Sequence, residues 1–177
     1  SFGNDSVANG GNSADGISMT DGSIREVRSS DSETRGNVIR YALLYENSDD
    51  GIDVWNSWDT LIEYSVSFEN GIGPSGNGSG FKLGGGQRED IGTVARFNIA
   101  WGNRTNYNTN TSTGVTLLHN TSWAVRGNGI GFALTTHSID ADENRAYNNV
   151  SFEDRWPRAR GEDTDHRFNS WNLDVED

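Results

Sequence analysis

A ten-residue pattern returns five times along this 177-residue chain, and such a repeat restricts the fold more than any other feature of the sequence. The copies lie at 38–47 (VIRYALLYEN), 61–70 (LIEYSVSFEN), 94–103 (VARFNIAWGN), 116–125 (TLLHNTSWAV) and 145–154 (RAYNNVSFED). Position eight is always aromatic: Tyr45, Phe68, Trp101, Trp123 and Phe152. Position six is Leu43, Val66, Ile99, Thr121 and Val150, apolar in four of the five. Position ten is Asn47, Asn70 and Asn103 before it changes to Val125 and Asp154. The alternation is that of a short strand. Successive copies start 23, 33, 22 and 29 residues apart. A period near 22, lengthened where loops are inserted, fits one coil of a parallel β-helix. Equivalent residues then stack about 4.8 Å apart. Stacking is expected to set aromatic on aromatic inside the core and to let Asn at the turns form ladders.

Gly and Asn interrupt every candidate helix, and Pro74 and Pro157 are the only prolines. The expectation is an all-β solenoid of five to six coils, one domain over 1–177, with an irregular cap from about 155 to 177. Three segments read as loops: Gly-rich 70–79, polar 104–113 and the short acidic turn 139–144. Trp171 and its neighbours in the tail are expected to cover the last coil. The chain starts with Ser and a polar stretch, 1–12, that makes a poor cap. This leads to the expectation that it is a fragment of a longer protein, with N-terminal coils missing.

A second element follows several copies and reads Gly, apolar, any residue, apolar. It occurs as Gly16-Ile17-Ser18-Met19, Gly51-Ile52-Asp53-Val54, Gly80-Phe81-Lys82-Leu83 and Gly131-Phe132-Ala133-Leu134. With the apolar positions inward, strand alternation turns Ser18, Asp53, Lys82 and Ala133 outward. Asp53 and Lys82 then share one register on neighbouring coils. Asp15 and Asp50, each just before the Gly, share another. Spacing alone thus gathers Asp15, Asp49, Asp50, Asp53 and Lys82 on one outer face. Lys82 is the single lysine among 14 basic residues.

Carboxylates converging at a turn suit a hard cation such as Ca²⁺, which takes six to eight oxygens in irregular geometry. The alternative is an acidic surface turn without an ion. Lys82 could act as a general base if its ammonium loses a proton. Nearby carboxylates push the wrong way, and a bound cation reverses the local field. The alternative for Lys82 is a salt bridge to Asp53. Gly71-Ile72-Gly73-Pro74-Ser75-Gly76 matches G-x-G-x-x-G, but no helix follows, so it reads as a loop. His119 sits where other copies carry Tyr41, Tyr64 and Phe97, which points to a packed stack, while His137 and His166 have no metal-ligand partners in spacing. A formal net charge of −12 argues against nucleic acid and anionic membrane surfaces as partners. No apolar run approaches the roughly 20 residues needed to cross a bilayer.

S-D-D-G-I-D at 48–53 followed by G-F-K-L-G-G at 80–85 resembles the signature of pectate lyases of polysaccharide lyase family 9. A-D-G-I at 14–17 is similar to that family's A-D-G-F, and the similarity extends over roughly 12–172. The resemblance implies a secreted, right-handed parallel β-helix enzyme that cleaves polygalacturonate by calcium-dependent β-elimination. By motif it carries four calcium-binding aspartates to Asp15, Asp49, Asp50 and Asp53, and the catalytic base to Lys82. These are the five residues already gathered by register. The implied partner is an acidic polysaccharide bound by a monomer, with an alkaline optimum. Three alternatives stay open: a lyase for another uronate polymer such as rhamnogalacturonan, a non-catalytic β-helix adhesin or carbohydrate-binding protein, and a truncated chain that keeps the fold and the calcium but has lost the activity. The family's chains are longer, and the interval from Asp15 to Asp49 carries a charged insert at 25–35.

Overall fold

In the computed structural model, which describes residues 1–20, 34–86, 89–136, 143–159 and 164–173, each copy of the repeat forms two short strands joined by a corner. The corner is the fourth position. Tyr41, Tyr64, Phe97, His119 and Asn148 all have φ between 51° and 56°, a left-handed conformation that costs non-glycine residues about 1–2 kcal/mol each. The chain turns there, and the alternation changes phase. Position two (Ile39, Ile62, Ala95, Leu117, Ala146) and position seven (Leu44, Ser67, Ala100, Ser122) point into the interior, and the asparagines at positions five and ten are buried at the corners. Positions four, six and eight face outward.

The aromatic ladder at position eight therefore exists, but on the outside rather than in the core. Tyr45–Phe68 and Phe68–Trp101 stack with centroids 4.9 and 4.3 Å apart, while Trp123 and Phe152 stand 44% and 58% exposed. A second outer stack runs through the corner residues, Tyr41–Tyr64–Phe97–His119, at 5.1–5.6 Å. His119 is thus a rung of that stack. The buried aromatic column is a different one, Phe81–Tyr107–Phe132, with spacings of 5.1 and 4.7 Å. The Tyr107 hydroxyl donates to Thr121 O at 3.0 Å, which satisfies the polar end that burial would otherwise strand.

Among the described residues all strand pairs are parallel, in three sheets of six, six and five strands. The first sheet stacks Ile17–Thr20, Ile52–Trp55, Ser79–Lys82, Thr105–Asn108, Ile130–Ala133 and Trp156–Ala159 in that order. The second and third are built by the two halves of the repeat, with Thr164–Arg167 closing the second. Sheet order equals chain order in each, which is the signature of a parallel β-helix of six coils.

Two segments differ from expectation. Thr105–Asn108, read as polar loop, is a full strand of the first sheet with Tyr107 fully buried. The tail expected to be irregular carries two more strands, Trp156–Ala159 and Thr164–Arg167. Trp171 then packs against Phe132 at 4.9 Å and lies over the end of the core. Most of the insert at 25–35, residues 139–142 of the acidic turn and His137 lie outside the described residues.

Asn ladders bind the coils at two corners. Asn47, Asn70 and Asn103 pass a side-chain hydrogen bond from coil to coil at 2.8 and 3.0 Å. Asn98, Asn120, Asn149 and Asn169 do the same at 3.1, 3.0 and 2.9 Å. Every one of these side chains is buried and hydrogen-bonded, as a dry interior demands of amides.

Candidate active site

The outward register of the first sheet reads Ser18, Asp53, Lys82, Asn108, Ala133 on successive coils. Tight backbone approach fixes this face. A Cβ on Gly51 would lie 2.1 Å from Ser67 Oγ and 2.6 Å from Gly80 O, so only glycine can stand between Asp50 and the coil behind it. Apolar anchors on either side, Ile52 and Val54 or Phe81 and Leu83, are fully buried. Asp53 and Lys82 consequently cannot rotate inward.

Lys82 Nζ donates to Asp53 Oδ2 at 2.9 Å and lies 3.1 Å from Asp50 Oδ2. Asp50 Oδ1 accepts from Ser79 N at 2.6 Å, and Asp15 Oδ1 accepts from Asp50 N at 3.1 Å. The salt bridge weighed as the simple reading of Lys82 is present. It leaves Asp53 Oδ1 buried without a hydrogen bond, while Asp50 Oδ2 is held only by its ion pair with Lys82. Oxygens of Asp15, Asp50 and Asp53 all lie within 4.8 Å of one another.

Burial dominates the acidity of these groups. It lifts the Asp15 carboxyl to about 6 and Asp53 to about 7, against the pull of Lys82. Asp50 is raised for the same reason. For Lys82, burial presses toward the neutral amine, but the charges of Asp50 and Asp53 outweigh it and hold the ammonium above its ordinary value. Three crowded, desolvated carboxyls, with Asp53 Oδ1 still without a partner, form a hard-oxygen set that fits Ca²⁺. A cation there would take over the charge that Lys82 now answers.

Asp49 is buried beside them and lines the same cleft, and each of its oxygens accepts a backbone hydrogen bond: Oδ2 from Ser13 N at 2.6 Å and Oδ1 from Asn77 N at 2.5 Å. It ties the first coil and the 70–79 loop to the site. That loop packs closely, with Gly73 N donating to Ser48 O at 3.0 Å and Ser75 N to Gly10 O at 2.9 Å. An open cleft of about 410 Å³ lies over the cluster, lined by Ser13, Asp15, Asp53, Asn77 and Lys82 among others.

Trp55 forms one wall, with its ring centroid 5.5 Å from Lys82 Nζ. It lies against Gly85, where a Cβ would come within 2.2 Å of the ring. Sequence reasoning missed Trp55. The run Gly84-Gly85-Gly86 directly after Lys82-Leu83 was the available signal, since glycines mark places where a neighbour comes close. Asn108, beside Lys82 on the following coil, was missed with its strand.

The Pel9A-like, right-handed β-helix region matches residues 1–149. The chain belongs to this family. Among Pel9A-like relatives, pectate lyase L of Dickeya chrysanthemi is 34% identical over 148 residues, covering 78% of this chain and 33% of that protein. Pectate lyase PEL9 of Emericella nidulans is 30% identical over 185 residues, covering 86% and 43%. The crystal structure of pectate lyase Pel9A superposes with a TM-score of 0.72 at 30% identity, over 92% of this chain and 39% of that one. A rhamnogalacturonan lyase superposes with a TM-score of 0.71 at 23% identity, a likeness of fold. This Pel9A-like chain spans less than half the length of each of these proteins. Family membership gives the coil its right hand.

Proposed function

We propose that this Pel9A-like chain carries the centre of a calcium-dependent lyase that cleaves polygalacturonate by β-elimination. One observation carries the reading: the single lysine of the chain is buried against the carboxylates of Asp50 and Asp53, the second of which keeps an oxygen without a partner, at the floor of an open cleft. A solenoid coil needs no such set for stability, because an unsatisfied buried charge is a cost. The names of the relatives, pectate lyase L and pectate lyase PEL9, support the substrate class.

Asp15, Asp50 and Asp53 would hold the cation, with Asp49 positioning the loops around them. Bound Ca²⁺ would supply positive charge beside the uronate carboxylate and the negative charge that develops on it. Lys82, once neutral, takes the C5 proton onto Nζ. The electron pair forms the C4–C5 double bond, the C4–O bond breaks, and the departing oxygen is protonated. Asp50 and Asp53 oppose loss of the Lys82 proton, so catalysis needs their charge answered by something else. Trp55 shields the ammonium side of the cleft from water. The setting is outside the cell, where such a polymer is found; among the described residues no helix is long and apolar enough to cross a membrane.

Ultraviolet absorbance of the unsaturated product tests the reading, with polygalacturonate, calcium or chelator, and the parent chain or Lys82→Ala. A calcium-dependent rise that the variant lacks supports it. Cleavage that leaves no unsaturated product, or that persists in the variant, overturns it.

A further inference from the structure

A second open cleft, of about 440 Å³, lies on the coils beyond Lys82 and is lined by residues 104–105 and 126–130. Two guanidinium groups, Arg104 and Arg126, face it. Arg104 Nη1 donates to Gly76 O at 2.9 Å, and Arg126 Nη2 donates to Asn70 O and Gly71 O, both at 2.8 Å. Their anchors are carbonyls rather than carboxylates. Among the described residues neither arginine is ion-paired, although Glu69 lies near enough to Arg126 for its charge to be felt. The guanidinium groups are near enough to repel: after burial, the charge of Arg104 is the next influence disfavouring that of Arg126. Arg155 reaches the same rim through a hydrogen bond to Asn128 Oδ1. In a chain of net charge −12, held-apart cations without counterions are an anion site in waiting.

The two clefts join through one segment. Asn77 lines the first cleft, and its neighbours Gly76 and Gly78 accept hydrogen bonds from Arg104, the latter from the Arg104 backbone N–H at 2.9 Å. Charge along the first sheet therefore changes sign with chain order: carboxylates on the first two coils, Lys82 on the third, arginines on the fourth and fifth. Each coil adds about 4.8 Å, so a polymer lying across the strands passes from one cleft into the other. The exposed aromatic stacks are poorer sugar platforms, because their ring faces already cover one another.

We infer that Arg104 and Arg126 form a subsite for a carboxylate of the uronate polymer, displaced toward the C-terminal coils from the reacting sugar. This rests on the proposed lyase reading and adds to it the direction of the bound chain and a requirement for unesterified uronate at that place.

Titration calorimetry with saturated oligogalacturonides of increasing length tests it, using calcium-loaded Lys82→Met chain to prevent turnover. Arg104→Gln and Arg126→Gln keep a donor for the loop carbonyls while removing charge. Asn128→Asp adds an opposing charge and leaves those loop contacts intact. Each is expected to weaken binding of long oligomers at least tenfold, to leave short ones that reach only the Lys82 cleft unchanged, and to lose its effect on methyl-esterified oligomers. Unchanged affinity in all three variants overturns the subsite, as does equal weakening for the methyl esters. If the chain without arginine substitutions binds no uronate oligomer, the lyase reading falls along with the subsite.

Discussion

Asp53 and Lys82 occupy one register position on adjacent coils, and the Lys82 ammonium meets Asp53 Oδ2 at 2.9 Å. Their separation is set by the rise between strands, while buried Ile52, Val54, Phe81 and Leu83 stop either side chain from turning away. Lys82→Met removes the proposed base and leaves the buried carboxylates of Asp50 and Asp53 without their cation. Activity is expected to fall by at least about 10²–10⁴. Stability in chelator is expected to fall by about 3 kcal/mol, and calcium is expected to recover much of it. Product absorbance and denaturant melts with and without calcium check both halves.

The carboxyls predict an unusual pH response in chelator. Asp15 at about 6 and Asp53 at about 7 bind protons more tightly when folded than the ordinary carboxylate value of 3.8 in the unfolded chain. Their contribution to stability therefore grows as pH falls from about 7 toward 4, and is lost again as pH rises through the folded values. Calcium competes with those protons, so its affinity is expected to drop over the same interval. Denaturation and calcium titrations at a series of pH values read the two trends, which run in opposite directions.

For turnover the direction reverses. Lys82 must give up its proton before it can accept one, so the rate in saturating calcium is expected to rise between about pH 7 and 10. A flat profile over that range removes Lys82 from the role of base.

Gly85→Ala tests the cleft wall. The new Cβ would sit 2.2 Å from the Trp55 ring, so the ring has to move away from Lys82. Trp55 is 38% exposed and has room to shift, so the expected stability cost is small, about 1 kcal/mol. KM and kcat should both worsen, while calcium affinity measured by calorimetry should hold.

Asn120→Ala tests the ladder. It deletes donors to Ala95 O at 2.9 Å and Asn149 Oδ1 at 3.0 Å, and the acceptor for Asn98 at 3.1 Å. Several buried groups are left unsatisfied at about 1–3 kcal/mol each. A loss of about 3 kcal/mol or more in denaturant melts is expected, with little change in KM for any surviving folded enzyme.

Register was the most legible part of this sequence. Gly-apolar-x-apolar aligned Asp53 with Lys82 before any coordinates, because strand alternation leaves only one outward position between two buried ones. Phase was the illegible part. The left-handed residue at position four shifts the alternation, and the first three copies do not announce it, since Tyr and Phe rarely adopt that conformation; only His119 and Asn148 are of types that favour it. The aromatics of position eight were consequently expected inside. The coil at Thr105–Asn108 was hidden because Asn106 stands where its neighbours carry Gly and Thr109 where they carry an apolar residue. Both are buried and fully hydrogen-bonded, so polarity there reports the ladder rather than solvent.

The asparagine rungs also govern how such a molecule can change. Because the links each amide makes between coils reach only the coils directly above and below, a loop between rungs can lengthen outward without altering the rise that sets Asp53 against Lys82. Whole turns can likewise be added or removed at a distance as interchangeable spacers. On the proposed reading, the span of sugar that the surface can grip is then counted in coils, and evolution or design can extend it in fixed steps while the Asp53–Lys82 pair stays where it is.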